Sequence, residues 1–388
     1  MDYLIDNTEE EAARALRRKE RAARMRREKQ LQMKRRRRMK MIMKCVGGMT
    51  AILVVAIVAI NGFGTKQEEN VVNSHVTSEA EKAEVEELEV QKVEMPEVEK
   101  VESTPEPIPL AVASDEKYSF EATPNTISIY NEEILSSNVI LVNEETDKII
   151  ASKGAKERIS PASMTKVLTI LVAAENLTEE QLDDTFVMTR EITDYGYIND
   201  CSAVGFLDGE EITVRDLFYG TILPSGSDAA MGLATYVAGS HEAFVEMMNE
   251  KLKELGLGET SHYTNCVGLY DKEHYSTVYD MAVIMKAAIQ NEFCKTILAE
   301  HNYTTEATTE HPEGINISNW FLRRIEDYDT GGEVLCAKTG YVDESKSCAV
   351  SYGTFADGNP YICVTVGARS SWKCIYDHIE IYNEYVSA

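Results

Sequence analysis

Three short motifs built from hydroxyl, amine and glycine residues follow one another along the chain. Ser-x-x-Lys occupies residues 163–166, Ser-Gly-Ser occupies residues 225–227, and Lys-Thr-Gly occupies residues 338–340. A Ser-x-x-Lys motif alone is common, but the third motif is rarer, and the order and spacing of all three are rarer still. Together they predict a serine acyl-transfer site in which lysine takes the part that histidine plays in other hydrolases.

The first motif supplies a nucleophile and a base. The apolar spacing over residues 163–175 predicts a helix, and residues three apart share a helix face, so Lys166 can reach the hydroxyl of Ser163. Lysine accepts a proton near neutral pH only if burial or a nearby cation lowers its pKa, and Lys338 is a candidate for that cation. Because Ser163 opens the helix, free backbone N–H groups there can stabilise an oxyanion.

The second motif has two interpretations that are compatible. Ser225 can pass a proton between Lys166 and a leaving amine. Ser227 and Asp228 precede an alanine-rich segment, so either side chain can instead cap the N-terminus of a helix.

The third motif is typical of a strand that binds an anionic group. Lys338 contributes a cation and Thr339 a hydroxyl, while Gly340 allows the backbone of a substrate to lie close. The alternative, a basic residue that enters a turn, leaves the other two motifs unexplained.

The charge distribution predicts two compartments. Residues 1–44 carry sixteen Lys/Arg and seven Asp/Glu, a net charge of about +9. Because the net charge of the whole chain is −26, residues 45–388 carry about −35. Residues 45–63 are uncharged and apolar, and nineteen residues of helix nearly match a bilayer core of about 30 Å. Since the basic cluster directly precedes this run, we expect a cytoplasmic N-terminus, a transmembrane anchor at 45–63 and an extracytoplasmic remainder. A cleaved signal peptide is the alternative.

The basic segment could also bind anionic lipid or RNA, but no base-reading module is recognisable and we expect no nucleic-acid partner. Residues 64–122 follow the apolar run and are rich in Glu and Val, with no glycine over 66–122. Their composition predicts a disordered acidic linker that holds the domain away from the membrane.

Residues 123–388 predict one globular domain of the α+β class. Strands are expected at 138–142 and 148–151, around a turn at 143–146, and again at 334–339, 347–354 and 360–367. Helices are expected at 163–175, 213–222, 228–238, 241–255, 277–290 and 372–385. Strands at both ends with helices between them indicate a sheet assembled from distant parts of the chain.

The cysteines indicate neither a disulfide framework nor a metal site. The chain has eight, in no pattern that indicates a disulfide scaffold or a zinc site. Cys336 and Cys348 flank a predicted hairpin turn and could form a disulfide, although packed free thiols are the commoner arrangement. We expect no metal and no cofactor.

These motifs resemble those of the penicillin-recognising serine enzymes, and among them the D-alanyl-D-alanine carboxypeptidases of low molecular mass. The likeness covers residues 127–388. It includes Pro-Ala-Ser-Met-Thr-Lys at 161–166, Leu-Pro-Ser-Gly-Ser-Asp-Ala-Ala at 223–230, His-Tyr-Ser-Thr at 274–277 with Asp280, Lys-Thr-Gly-Tyr at 338–341, and Gly-Ala-Arg at 367–369. It implies a β-lactamase/DD-peptidase-like domain with an antiparallel sheet flanked by helices.

The resemblance also implies a role for each matching residue. Ser163 would be the acylated nucleophile, Lys166 its base and Ser225 a proton relay. The substrate-binding residues would be Ser227, Lys338, Thr339, Gly340, Tyr341 and Arg369. Within this set Lys338, Thr339 and Arg369 would hold the terminal carboxylate, and the backbone N–H groups of Ser163 and Tyr341 would bind the oxyanion. The family usually has Asn at the place of Ser227, whose shorter side chain puts substrate positioning in question.

The predicted function is removal of the terminal D-alanine from the stem peptides of peptidoglycan, with β-lactams as covalent inhibitors. A non-catalytic protein that binds the cell wall is one alternative. A β-lactamase is another, but the Glu-x-x-Leu-Asn loop that a class A enzyme would use for deacylation is missing.

Overall fold

The computed structural model describes residues 118–386, which contain ten strands and nine α-helices. The strands are β1 Glu121–Ser128, β2 Asn138–Asn143, β3 Lys148–Lys153, β4 Thr185–Val187, β5 Glu211–Thr213, β6 Asn302–Thr304, β7 Asn316–Ser318, β8 Gly332–Val342, β9 Lys346–Phe355 and β10 Pro360–Ala368. The helices are α1 Thr165–Glu175, α2 Arg190–Ile198, α3 Val214–Ile222, α4 Ser227–Ala238, α5 His241–Glu254, α6 Val278–Gln290, α7 Glu292–Ala299, α8 Leu322–Ile325 and α9 Ser371–Tyr385.

The predicted cytoplasmic segment, the membrane anchor and most of the acidic linker lie outside these residues. Strand β1 begins at Glu121, two residues before the predicted start of the domain. From residue 118 to residue 386, no helix is both long enough and apolar enough to cross a membrane.

The main sheet has six strands in the order β1-β3-β2-β10-β9-β8. All neighbours are antiparallel except β1 and β3, which are parallel, so the expectation of a purely antiparallel sheet was wrong for this one pair. The reason is that β1 pairs on the outer side of β3 instead of beside β2, its neighbour in sequence. Strand β8 forms the opposite edge, and one side of it faces no other strand of this sheet.

Both faces of the sheet are covered. In β2 all six residues are buried, and its side chains alternate between two cores. Ile140 and Val142 join the larger core, which includes α1 and α6, whereas Val139 and Leu141 pack with residues of α9. A strand buried on both faces reads as a continuous apolar run, which is what residues 139–142 present.

Helix α1 lies in the middle of the larger core. Its residues 165–174 are all buried, so Lys166 has no route to bulk water along the helix surface. The predicted helices and strands are confirmed to within a few residues. This arrangement places the start of α1 next to β8, the edge strand that carries the Lys-Thr-Gly motif.

Candidate active site

The serine of the first motif lies in a tight turn that leads into α1. Residues Ala162–Met164 form a 3₁₀ turn and α1 begins at Thr165, so Ser163 precedes the α-helix by two residues. Lys166 Nζ donates hydrogen bonds to Ser163 Oγ at 3.1 Å and to the carbonyl oxygen of Val267 at 2.7 Å. The amine is thereby directed at the hydroxyl from which it would remove a proton.

Burial sets the protonation of this lysine. Lys166 is 2% exposed, and loss of hydration lowers its pKa to about 8. The sequence offered a second source for this shift, the charge of Lys338, but burial is the main cause. The pKa of Lys338 is itself held well below its usual range, first by burial and then by the charge of Lys166.

Lys338 connects the third motif to the second. Its Nζ donates to Ser225 Oγ at 2.8 Å and to the carbonyl oxygen of Thr339 at 2.8 Å. Ser225 has a positive φ of 62°, a conformation that costs a residue with a Cβ atom and that aims its hydroxyl at this lysine. Because Lys338 donates to Ser225, the proton of that hydroxyl is free to point at a substrate atom.

Two glycines allow backbone segments to meet at the nucleophile. A Cβ atom on Gly340 would lie 2.8 Å from the backbone nitrogen of Ser163, and one on Gly268 would lie 1.9 Å from the carbonyl oxygen of Ala162. Gly268 also has a φ of +81°. Only glycine fits at either position, so the nucleophile is enclosed between β8 and the loop that carries Val267.

Asn265 fixes the loop that contacts the lysine, a role that the sequence did not reveal. Its Oδ1 accepts hydrogen bonds from the backbone N–H groups of Val267, Gly268 and Leu269. The Val267 carbonyl that binds Lys166 is held in place by this arrangement. An Asn that precedes a glycine-containing turn is a recognisable signal, but nothing in the sequence ties that turn to Lys166.

His274 fixes the first residue of α1 through a hydrogen bond. Its Nδ1 accepts from the backbone N–H of Thr264 at 3.1 Å, so Nε2 carries the proton and donates to Thr165 Oγ1 at 2.9 Å. Burial lowers the pKa of His274 to about 3, and the ring is therefore neutral. It positions Thr165, the residue between nucleophile and base, and takes no part in proton transfer.

A cleft with a volume of about 850 Å³ opens above these groups. Its lining contains six of the predicted site residues, namely Ser163, Lys166, Ser225, Thr339, Gly340 and Tyr341. Lys338 is 2% exposed and reaches the cleft through its hydrogen bond to Ser225. Two hydrogen-bonded pairs, Ser163 with Lys166 and Ser225 with Lys338, meet at one cleft and are equipped for acyl transfer.

The sequence profile of the D-alanyl-D-alanine carboxypeptidases, peptidase family S11, matches residues 124–370. The chain belongs to this family. It is 33% identical over 215 residues to the D-alanyl-D-alanine carboxypeptidase DacF of Bacillus subtilis, across 55% of this chain and 52% of DacF. It is 30% identical to the D-alanyl-D-alanine carboxypeptidase of Streptomyces sp. K15, across 64% of this chain and 86% of that protein.

The solved structures agree with this family membership. The crystal structure of the Streptomyces K15 DD-transpeptidase superimposes with a TM-score of 0.61 at 26% identity, covering 67% of this chain and 100% of that one. Penicillin-binding protein 5 from Haemophilus influenzae, at 23% identity and a TM-score of 0.57, shares the fold. The chain spans about half the length of DacF and 39% of DacC from Escherichia coli, the first two curated relatives.

Ser227 departs from the expectation for this D-alanyl-D-alanine carboxypeptidase family member. The side chain is buried, its Oγ has no hydrogen-bond partner within residues 118–386, and it is absent from the cleft lining. The cap at the start of α4 is Gly226, which provides no side-chain hydrogen bond. Asp228 instead accepts from the backbone N–H groups of Val204, Gly205 and Phe206, so its carboxylate fixes the segment that directly follows the cleft-lining residues 199–202.

The cationic side of the cleft also differs from the expectation. Arg369 is exposed and does not line the cleft, whereas Arg323 and Arg324 do. Arg323 donates to Ser318 Oγ at 2.9 Å, and the guanidinium of Arg324 stacks 4.2 Å from the centre of the Trp320 ring. No motif marked these two arginines in the sequence, because they lie on a short helix, α8, that carries no catalytic pattern.

Neither a metal site nor a disulfide is present in the described part of the chain. From residue 118 to 386, no group of three or more His, Cys, Asp or Glu side chains could hold a metal ion. Cys336 and Cys348 are free thiols. They cannot be bridged across β8 and β9, because Cys336 is paired with Tyr352 and Cys348 with Gly340.

Proposed function

We propose that this protein is a serine D-alanyl-D-alanine carboxypeptidase that removes the terminal D-alanine from peptidoglycan stem pentapeptides. The observation that carries the proposal is the buried Lys166 amine, with its pKa lowered to about 8, hydrogen-bonded to the Ser163 hydroxyl. A lysine in this state can accept a proton near neutral pH, which an exposed lysine cannot.

Acylation begins when neutral Lys166 takes the proton of Ser163. The Oγ atom then attacks the carbonyl carbon of the penultimate residue, and the oxyanion that forms is stabilised by the backbone N–H groups of Ser163 and Tyr341. Collapse of this intermediate breaks the peptide bond. Ser225 donates a proton to the departing amine of D-alanine and regains one from the lysines, leaving an ester on Ser163.

Deacylation uses the same groups in reverse order. Water attacks the ester carbonyl carbon while Lys166 accepts its proton, and Ser163 Oγ leaves and is reprotonated. The products are a peptide shortened by one residue and the free enzyme. Side chains carry the proton transfers and backbone N–H groups stabilise the oxyanion, so the proposal requires no cofactor.

The terminal carboxylate of the substrate would lie near Thr339 and Lys338. These residues, with Arg369 at the end of β10, are the carboxylate-binding set that the family resemblance implies. Arg323 and Arg324 add positive charge to the lining of the cleft. A cationic environment favours a free C-terminus over an internal peptide bond, as a carboxypeptidase requires.

The test is release of D-alanine from a synthetic stem pentapeptide by the full chain, with and without benzylpenicillin pretreatment. We expect release that benzylpenicillin abolishes, one penicilloyl adduct on the intact mass, and loss of both in Ser163→Ala. An adduct without release would favour a wall-binding protein, and rapid turnover of penicillin would favour a β-lactamase. Unchanged release by Ser163→Ala would overturn the mechanism.

The acceptor of the acyl group defines a second candidate reaction. The matching Streptomyces K15 structure is named a DD-transpeptidase, and in such an enzyme an amine replaces water in the second step. Adding an amino-acid acceptor to the assay separates the two reactions, since transfer gives a product heavier than the trimmed peptide.

We also propose that residues 45–63 anchor the enzyme in the cell membrane, with residues 1–44 in the cytoplasm and the catalytic domain outside. The basic cluster before an uncharged apolar run supports this orientation. Fractionation of the full chain and of a chain that lacks residues 1–63 tests it. We expect only the full chain in the membrane fraction, and a shortened mature N-terminus would point to a cleaved signal peptide.

A further inference from the structure

A second cavity, with a volume of about 340 Å³, continues the cleft beyond the turn between β8 and β9. We call it the distal cavity. It shares Tyr270 and Glu344 with the catalytic cleft, and its other walls include Arg158, Ser160 and Tyr275. A ligand that extends along the cleft past Glu344 therefore enters this space.

A substrate peptide that lies along β8 would extend its amino-terminal part towards the distal cavity. The cleft lining follows the edge of β8 from Thr339 to Val342 and continues into the turn at Glu344, and an extended peptide can pair with such an edge. If the terminal carboxylate lies at Thr339, the amino-terminal part of the peptide runs towards Glu344. At about 3.3 Å per residue, a group two residues before the penultimate one lies about 7 Å further along the strand.

Arg158 is held at this cavity without a counterion. Its guanidinium stacks 3.5 Å from the centre of the Tyr275 ring and donates to the carbonyl oxygen of Lys272. It forms no ion pair with any carboxylate between residues 118 and 386. A fixed guanidinium with unused donors is suited to bind a carboxylate.

Other charged and polar side chains also line the distal cavity and affect how strongly Arg158 attracts an anion. Lys272 adds one cation, while Asp271 and Glu344 add two exposed carboxylates. Ser160 contributes a buried hydroxyl that has no hydrogen-bond partner among residues 118–386. The two cations and the two carboxylates balance, so recognition of a carboxylate here depends on direct contact with the Arg158 guanidinium.

We propose that the distal cavity binds a free carboxylate on the amino-terminal part of the peptide, two residues before the penultimate one, and that Arg158 is its specificity-determining residue. This inference rests on the proposed carboxypeptidase function. Stem peptides in which the second residue is joined through its side-chain carboxyl carry a free α-carboxylate at this place. When that group is amidated, the peptide loses the charge that Arg158 would recognise.

The test compares two synthetic pentapeptides that differ only in whether this α-carboxyl is free or amidated. For the full chain we expect a kcat/KM about fivefold higher with the free acid, the size expected of one partly exposed charge-assisted hydrogen bond. Arg158→Gln should bring this ratio close to one. Lys156→Gln, which removes a nearby cation outside both cavities, should leave the ratio unchanged.

The ratio is insensitive to a general structural effect, because damage to the fold lowers kcat/KM for both peptides alike. Equal rates for both peptides, or preference for the amide, would overturn the inference while leaving the carboxypeptidase function intact. If neither peptide is turned over, the proposed function fails instead. Equilibrium binding of the two peptides to Ser163→Ala then tests the distal cavity, and equal affinities would reject it.

Discussion

The floor and the rim of the cleft are built in opposite ways. On the floor, Lys166 and Lys338 are each 2% exposed, and each amine donates to two fixed oxygen atoms. By the rim we mean the exposed residues at and around the mouth of the cleft: Tyr341, which is 58% exposed, Arg158 at the distal cavity, and Arg369, which follows β10 outside the cleft lining. The difference separates two tasks, because proton transfer needs dehydrated groups in fixed positions, whereas recognition can use weaker contacts in water.

This comparison predicts that changes on the floor alter the reaction itself and that changes on the rim alter the choice of peptide. The energies involved differ accordingly. A buried charge-assisted contact or general base is worth several kcal/mol, whereas a surface ion pair is worth about 0–1 kcal/mol.

The largest effect is expected when the floor loses its base. Lys166→Met removes the proton acceptor, and we expect the rate of acylation by benzylpenicillin to fall on the order of 10³-fold. Stability should not fall with it, since the variant no longer buries an amine at a hydration cost. Stopped-flow acylation and thermal unfolding measure the two quantities.

Lys286→Met is the matched control for a buried lysine outside the cleft. Lys286 is 8% exposed and forms ion pairs with Glu144 and Asp147. Its loss should lower stability and leave acylation unchanged, the reverse of the result for Lys166. A similar loss of acylation rate in both variants would show that any buried lysine, and not the position of Lys166 in the cleft, supports the reaction.

The next effect concerns the backbone that encloses the nucleophile. In Gly268→Ala the new Cβ atom meets the carbonyl oxygen of Ala162 and must displace the turn that holds Ser163. We expect acylation to fall roughly 10- to 100-fold, the cost of a displacement of about 1 Å at the reacting atom. Overpacking should also lower stability by about 1–3 kcal/mol beyond the left-handed backbone penalty.

Gly239→Ala separates that penalty from the packing effect. Gly239 has a φ of +77°, similar to that of Gly268, but open space surrounds it. This variant should lose roughly 1–2 kcal/mol of stability and keep its acylation rate. Equal rates in the two variants would mean that Gly268 serves only the fold.

A smaller effect is expected from pH. Lys166 acts as a base only when neutral, and its pKa of about 8 means that the neutral fraction shrinks as the pH falls below 8. The kcat/KM for D-alanine release should therefore drop about tenfold per pH unit below 8 and level off above it. His274, with its pKa lowered to about 3, stays neutral and cannot produce this step.

A profile that is flat from pH 6 to 8, or that rises as the pH falls, would contradict Lys166 as the base. Arg158→Gln provides an internal check, since a rim residue should leave the position of the step unchanged. The measurement uses one buffer composition and constant ionic strength, because surface charges respond to salt.

The floor was also the part of the site that the sequence predicted best. Ser163, Lys166, Ser225 and Lys338 meet because each belongs to a motif at a helix start or on a strand. The carbonyl of Val267 was missed, since a backbone oxygen leaves no trace in residue type. Burial of α1 as the source of the lowered lysine pKa depends on tertiary packing, which no short motif encodes.

In the fold, too, some elements were predicted from the sequence and others were missed. Helices with strong apolar spacing, such as α1 and α6, were predicted, whereas α2 was missed because only Ile192 and Gly196 of its nine residues are buried. Strand β1 was missed because none of its residues is buried and Pro124 interrupts its pattern. Its parallel pairing with β3 depends on which edge remains free after β2 and β10 have paired, and local sequence does not determine that.

The smallest effect is expected on the rim at Arg369. The resemblance to the family implies that this arginine helps to hold the terminal carboxylate, yet it is exposed and does not line the cleft, whereas Arg323 and Arg324 do. Arg369→Ala should therefore raise KM for the pentapeptide roughly two- to fivefold with little change in kcat, since an exposed cation contributes at most about 1 kcal/mol. Arg190→Ala, which removes a remote surface arginine, is the control for net charge. A loss of kcat on the scale expected for Lys166→Met would mean that Arg369 enters the cleft when substrate binds, and that the boundary between floor and rim moves during the reaction.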